Sequence, residues 1–235
     1  MDYAQHERIA EITLDDGKVN AMGPAFFDEL NALLDRAERE RPGALVLAGR
    51  EGFFSAGLDI KVLPTLERDE MTRTLQAFGN TLLRVWAFPL PTVAAMTGHA
   101  VAGGLFLGFA CDYRVMARGA FRLHANEHLI GLPLPTWAQV LTESLVGSGA
   151  VYTEFMLHAR PYTPDEALER RMVDQVVDAG MVIARAREVA ASLAGLSQPA
   201  YGISKARLRQ RALDWTKPLV AKEMIAFTSS LTRSG

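Results

Sequence analysis

Two stretches of the 235-residue sequence hold residue types able to do chemistry through the backbone: Phe53-Phe54-Ser55-Ala56-Gly57-Leu58-Asp59-Ile60 and Gly98-His99-Ala100-Val101-Ala102-Gly103-Gly104. Each is an apolar segment broken by small residues. Where a side chain is missing, the main chain can approach a ligand closely, and two peptide N–H groups aimed at one point form an anion hole. The chemistry this would serve is stabilisation of negative charge developing on an oxygen. A tight turn with close strand-to-helix packing explains either stretch alone, because glycine serves packing more often than catalysis. The two in register point to function. His124, Glu127 and His128 raise a different possibility, a metal site, since two histidines at that spacing share a helix face. That stretch leads into a proline-rich run and lacks a third ligand, so no metal is expected.

The elements that must position these stretches alternate between strand and helix. Arg8 to Leu14 alternates as a half-buried strand, and Asp15, Asp16 and Gly17 supply a turn. Pro24 opens a helix in which Phe26, Phe27, Leu30, Leu33, Leu34 and Ala37 recur at helical spacing until Pro42 and Gly43 end it. Ala44 to Ala48 reads as a buried strand. Glu67 to Phe88 has helical spacing and stops at Pro89 and Pro91, Thr92 to Thr97 is a further buried strand, and Val101 to Ala110 is expected as a buried helix. Asp112 to Ala117 and Phe121 to His124 read as strands. Beyond Gly131 helices dominate: Ala138 to Val146, Ala150 to His158, one opened by Thr163-Pro164-Asp165-Glu166, then Gly180 to Leu196 and Pro199 to Leu231, with a strand at Val173 to Val177. This order predicts an α/β domain with parallel strands under helices.

Composition narrows the partners. With 49% hydrophobic residues the chain can bury the core of one domain, or of one domain and a small appendage. We divide it into a core over 1–196 and a C-terminal helical lid or oligomer-forming segment over 197–235. The 25 Lys and Arg against 27 Asp and Glu lie without blocks, which argues against nucleic acid. The single cysteine, Cys111, can form no internal disulfide, as expected of a reducing compartment. No run approaches the roughly eighteen apolar residues of a membrane span. Met1 to Glu11 does not resemble an export signal, and Thr232 to Gly235 does not form a peroxisomal or retention tripeptide. A cytoplasmic protein is expected.

With Asn20-Ala21-Met22 before the first helix and Pro164-Asp165-Glu166-Ala167-Leu168 before a late strand, the two stretches resemble the enoyl-CoA hydratase/isomerase, or crotonase, superfamily over nearly the whole chain. The resemblance implies a spiral of strand-strand-helix units with a helical C-terminal region, assembled as trimers or pairs of trimers. It also implies acyl-CoA thioester substrates and no separate cofactor, coenzyme A being part of the substrate. Carried over by position, the N–H groups of Leu58 and Gly103 would hold the thioester oxygen.

Hydratases of this superfamily resemble one another in using two glutamates, one three residues after the second oxyanion glycine and one four residues before a later glycine. Here the first position is Phe106 and the second is Glu127, ahead of Gly131. An Ala-Gly-Leu-Asp stretch with a single Asn-Glu glutamate is similar to the Δ3-Δ2-enoyl-CoA isomerases. In such a scheme Glu127 would carry a proton from the α to the γ carbon, with Phe106 in an apolar wall that raises its pKa and keeps water out. Ala56, Lys18, Phe106, Trp137 and Lys205 are expected to contact the acyl-CoA. Lys18 and Lys205 would meet phosphates, and Trp137, Trp86 and Phe78 would line the acyl pocket. Trp215 and Phe227 are expected against a neighbouring subunit, and Asp59 as a cap or loop anchor. Two alternatives remain open: hydration or other enolate chemistry on acyl-CoA, and a non-catalytic acyl-CoA-binding subunit.

Overall fold

The computed structural model describes residues 1–231, so Thr232 to Gly235, on which the absence of a targeting tripeptide was expected, lie outside the described residues. The chain opens with an antiparallel pair, β1 (Asp2–His6) and β2 (Ile9–Thr13), joined through Glu7 at φ 53°. β1 has no counterpart in the sequence reading, because this edge strand is largely exposed and lacks an alternating apolar face. The chain continues through β3 (Ala21–Met22), α1 (Pro24–Glu40), β4 (Ala44–Ala48), β5 (Gly52–Ser55), β6 (Gly57–Leu58) and α2 (Arg68–Trp86). Next come β7 (Thr92–Met96), β8 (Gly98–Val101), α3 (Gly103–Ala110), β9 (Tyr113–Arg118) and β10 (Leu123–His124). The rest is α4 (Thr136–Val146), α5 (Ala150–Leu157), α6 (Pro164–Glu169), β11 (Gln175–Asp178), α7 (Val182–Ala194) and α8 (Gln198–Leu231).

Six strands form one sheet in the order β1-β2-β4-β7-β9-β11, parallel from β2 onward. A second sheet has the order β10-β8-β5, and β3 pairs with β6. Thus β4 and β5, β7 and β8, and β9 and β10 each place one strand in the large sheet and the next in the small one. α2 and α3 return the chain between them, and this repetition is the strand-strand-helix spiral.

The large sheet is covered on both faces, which is why its strands read as continuous apolar runs. In β4, Ala44, Val46 and Ala48 face Val182, Ala186, Ala190 and Ala194 of α7, while Leu45 and Leu47 face the larger cluster under α1 and α2. Thr163 caps α6 as expected, accepting from the Glu166 N–H while the Glu166 carboxylate accepts from the Thr163 N–H at 2.9 Å. Among the described residues, no helix is long and apolar enough to cross a membrane.

Several boundaries depart from expectation. Gly98 to Val101 is strand, and the helix expected from Val101 starts at Gly103, because Ala102 at φ 49° turns the chain between the two. Phe121 and Arg122 lie outside β10. β11 begins at Gln175, two residues later than expected, since Met172 and Val173 first close the end of α6 by donating to the Ala167 carbonyl. The C-terminal segment is helical as expected, one helix of 34 residues over Gln198–Leu231, with Pro218 inside it. Proline deletes a backbone donor. Here Leu213, Val220, Met224 and Phe227 share one apolar cluster with Leu75 and Phe78 of α2, and that packing carries the helix through.

The basic run early in α8 is anchored inward. Lys205 is 6% exposed and donates to Asp112 Oδ2 at 2.6 Å and the Leu90 carbonyl at 3.1 Å. Arg209, one turn on, donates to Asp112 Oδ1 at 2.6 Å. Burial alone would raise the Asp112 pKa, but the two cations outweigh it and hold the carboxyl below its ordinary range. The expected phosphate contact of Lys205 is therefore corrected: the ammonium is consumed in this internal ion pair. Asp112→Ala would strand two cations, and a cost of about 3–5 kcal/mol is expected in urea unfolding. A loss below about 1 kcal/mol would contradict this anchoring role.

Candidate active site

A cavity of about 680 Å³ lies between the β5–β6 segment, the start of α3, the turn carrying Glu127, α4 and the far part of α8. Exposed Asp16, Lys18 and Lys61 stand at its rim, while Phe78, Phe106, Trp137, Met224 and Phe227 form its buried wall. The aromatic rings interlock, with Phe78 edge-on to Trp137 at 4.9 Å and Phe106 to Trp137 at 5.9 Å.

The two glycine-containing stretches meet on this cavity. Gly57 has φ 82°, and a Cβ there would lie 2.7 Å from the Gly103 nitrogen and 2.9 Å from the Val101 oxygen. No side chain fits between them. Leu58, one residue on, pairs with Met22 of β3, whose carbonyl accepts from the Asp59 N–H at 3.0 Å. Successive N–H groups along a strand point to opposite edges, so that of Leu58 is directed away from β3. Gly103 is the first residue of α3, and its N–H has no acceptor among the described residues. It is one of the orphan donors at the positive end of a helix. Both residues line the cavity. Two such donors can hold one developing oxyanion.

A buried framework fixes this arrangement. Asn20 donates through its amide to the carbonyls of Leu14 at 2.7 Å and Phe54 at 3.0 Å, while its own carbonyl accepts from the Ser55 hydroxyl at 2.6 Å. The same Ser55 oxygen accepts from the Gly57 N–H at 3.1 Å. Ala102, at φ 49° and ψ −127°, holds a conformation costly for a residue with a Cβ. Its N–H donates to the His124 carbonyl at 2.7 Å and its carbonyl accepts from Leu105 at 3.0 Å.

Glu127 begins a single 3₁₀ turn ending at Gly131, whose φ of 75° explains why glycine stands four residues after the glutamate. The Glu127 carbonyl accepts from Leu132 at 2.9 Å. Its side chain is held in apolar surroundings: the residue is 8% exposed, and Oε2 has no hydrogen-bond partner among the described residues. Burial pushes its pKa up to about 7, only partly opposed by a hydrogen bond from its own backbone. The other two carboxylates on the cavity, among the described residues, are turn anchors. Asp59 Oδ1 accepts from the N–H groups of Lys61 and Val62, and Asp16 accepts from Lys18, Asn20 and Ala21. Phe106, one turn beyond Gly103 in α3, is fully buried on the cavity wall and offers no proton carrier.

Of the residues singled out in the sequence, Glu127, Leu58, Gly103, Ala56, Lys18, Phe106, Trp137 and Phe78 all line this cavity. Lys205 and Trp86 do not; Trp86 lies beneath the Arg209 guanidinium, 5.2 Å from its ring centre. Phe227, expected against another subunit, is buried on the cavity wall of its own chain, whereas Trp215 is exposed. Met224 is a lining residue absent from the sequence reading, and Asn126, which entered that reading only as part of the Asn-Glu motif, lines the cavity too. Asn126 adjoins Glu127, and Met224 stands at helical spacing from Phe227; these were the available signals.

The sequence profile described as enoyl-CoA hydratase/isomerase matches residues 4–232. A probable enoyl-CoA hydratase of Bacillus subtilis is 31% identical over 83% of this chain and 76% of its own length. A solved Mycobacterium tuberculosis enoyl-CoA isomerase superposes with a TM-score of 0.88 at 35% identity, covering 96% of this chain and 97% of that one. Human mitochondrial delta3-delta2-enoyl-CoA isomerase superposes with a TM-score of 0.92 at 25% identity, covering 97% and 89%.

Proposed function

The chain belongs to the enoyl-CoA hydratase/isomerase family, and from that premise we propose that it moves the double bond of a 3-enoyl-CoA thioester to the 2 position. Ionised Glu127 removes a proton from the α carbon, and the electron pair of that C–H bond spreads through the dienolate onto the thioester oxygen. The N–H groups of Leu58 and Gly103 stabilise that oxygen. Protonated Glu127 then delivers its proton to the γ carbon, which leaves the conjugated thioester and regenerates the carboxylate.

One observation carries the choice of reaction. Among the described residues, Glu127 is the only buried carboxylate on the cavity, and the position one turn past Gly103 is Phe106. Adding water calls for one group to activate water and another to manage the α proton. Moving one proton between two carbons of the same substrate needs a single carrier. The apolar wall also favours a dry site, in which Glu127 sits poised between its two protonation states near neutrality.

In this reading Lys18 meets the coenzyme A phosphates, Ala56 borders the thioester, and Phe106 and Trp137 enclose the acyl chain. α8 serves as the lid. Assembly as a trimer or a pair of trimers belongs to the same reading, supported by the outward-facing Leu208 and Trp215 of α8; a monomeric mass by light scattering would contradict it. Hydration is the second reading, favoured by the hydratase name of the Bacillus subtilis relative.

The test is to mix the protein with 3-hexenoyl-CoA and follow the absorbance of the conjugated 2-enoyl thioester. Turnover no faster than that of Glu127→Gln would sink the proposal. A pH dependence follows as well. The base works ionised, so kcat/KM should fall with unit slope as pH drops below about 7 and reach a plateau above it. A profile flat down to the ordinary carboxylate pKa of about 4.3 would contradict a buried base.

A further inference from the structure

We infer that Glu223 is a positioning residue for acyl-chain length: by clamping the far part of α8 to α4, it holds Met224 and Phe227 as a plug in the buried wall of the cavity. The inference rests on the acyl-CoA reading above and adds to it which chains the site takes.

Glu223 caps a helix that is not its own. One carboxylate oxygen accepts from the Thr136 N–H at 2.8 Å, and the other accepts a short hydrogen bond from the Thr136 hydroxyl. Thr136 is the first residue of α4, preceded by Pro135, and no side chain local to α4 caps this end. An orphan donor at the positive end of α4 is thereby satisfied by a carboxylate from 87 residues away. The cap is unusually consequential because of its neighbours. The next residue in α4 is Trp137, and the next in α8 is Met224, so one clamp fixes both walls of the same cavity. One turn on, Phe227 lies 5% exposed on the cavity wall, and the adjoining Thr228 hydroxyl meets that of Thr72 on α2 at 3.3 Å. Pro218 stands between this end of α8 and the Asp112 anchor, where the helix has lost one backbone bond. The segment beyond it is therefore held by its apolar packing against α2 together with these side-chain clamps.

The consequence is a limit on the apolar volume open to the acyl chain. Trp137, Phe78 and Phe106 are locked against one another by their ring contacts and cannot yield without repacking. Met224 and Phe227 sit on an element held by a clamp, and they are the wall that sets chain length.

The experiment measures binding of two unreactive probes, hexanoyl-CoA and dodecanoyl-CoA, by calorimetry to the unaltered protein and to Phe227→Ala, Glu223→Ala and Glu223→Gln. The unaltered protein is expected to favour hexanoyl-CoA. Phe227→Ala and Glu223→Ala should each shift the affinity ratio toward dodecanoyl-CoA by about tenfold, the scale on which an apolar pocket reads a methylene or two. Glu223→Gln should keep the ratio, because its amide can accept from the Thr136 N–H and donate to its hydroxyl. A merely structural glutamate would lower the melting temperature with the ratio unchanged, and that result overturns the inference. Equal ratios in Phe227→Ala and the unaltered protein overturn it too. Tight binding of both probes without turnover of any 3-enoyl-CoA would sink the isomerase reaction and leave the chain-length assignment to be decided by the ratios. No binding of either probe would remove the acyl-CoA reading and the assignment with it.

Discussion

Glu127→Gln is expected to lower kcat for isomerisation by about 10²–10⁴-fold while leaving KM within a few-fold. The amide matches the carboxyl in shape and cannot take a proton from carbon at neutral pH. The substrate meets the same walls, so binding changes little. Stability should move the other way. The Glu127 carboxyl is pushed up to about 7 by burial, so above that pH the folded protein bears the cost of an ionised group with an unpartnered oxygen. A neutral amide removes that cost, and the variant should unfold at an equal or higher temperature in alkaline buffer. A loss of activity with a falling melting temperature would instead describe damage to the fold. A kcat within about tenfold of the unaltered protein would exclude Glu127 as the proton carrier.

Gly57→Ala carries the second large effect. Its Cβ would stand 2.7 Å from the Gly103 nitrogen, and φ at 82° is already unfavourable for any residue with a Cβ. The least disruptive relief is to push the start of α3 away from the β6 segment. That separates the N–H groups of Leu58 and Gly103, which in the proposed mechanism reach one oxygen together. Loss of one donor to an oxyanion typically costs about 2.7–4 kcal/mol of barrier, or 10²–10³-fold in kcat. Binding of an unreactive acyl-CoA should suffer less, since the donors matter most when charge develops on the oxygen. A variant with normal kcat would show that these two N–H groups do not act on the reacting atoms.

How much of this was readable beforehand depended on how local each signal was. The small residues Gly57, Gly103 and Gly104 announced a close backbone approach, because only a missing side chain permits one. The offset from Glu127 to Gly131 was equally local: the turn holding the glutamate ends in a left-handed conformation that glycine takes without strain. The alternating strands and helices of the spiral followed from apolar runs and prolines.

Features that depend on distant partners were hidden. Lys205 and Arg209 look no different in sequence from Arg207 and Arg211, yet the first pair turns inward because Asp112, about a hundred residues earlier in the chain, awaits it. Phe227 reads as a tail aromatic free to meet another subunit. It becomes a cavity wall only because α8 runs unbroken past Pro218 and lies against α2 and α4. β1 carries no apolar signal in the sequence, because an exposed edge strand needs no apolar face. The site's buried framework is half visible in the sequence: Asn20-Ala21-Met22 stands as a motif, but the hydrogen bonds of Asn20 to Leu14 and Phe54 exist only once three separate segments converge.

In the proposed mechanism a single buried carboxylate, on one cavity with two backbone donors, makes this protein an isomerase, with Phe106 withholding the second group that hydration needs. The most direct measurement compares kcat/KM for isomerisation of 3-hexenoyl-CoA with kcat/KM for hydration of crotonyl-CoA in one preparation. Isomerisation is predicted to exceed hydration by at least about 10²-fold, the smallest contribution expected of a positioned acid–base group. Hydration as efficient as isomerisation, or more so, would contradict the account.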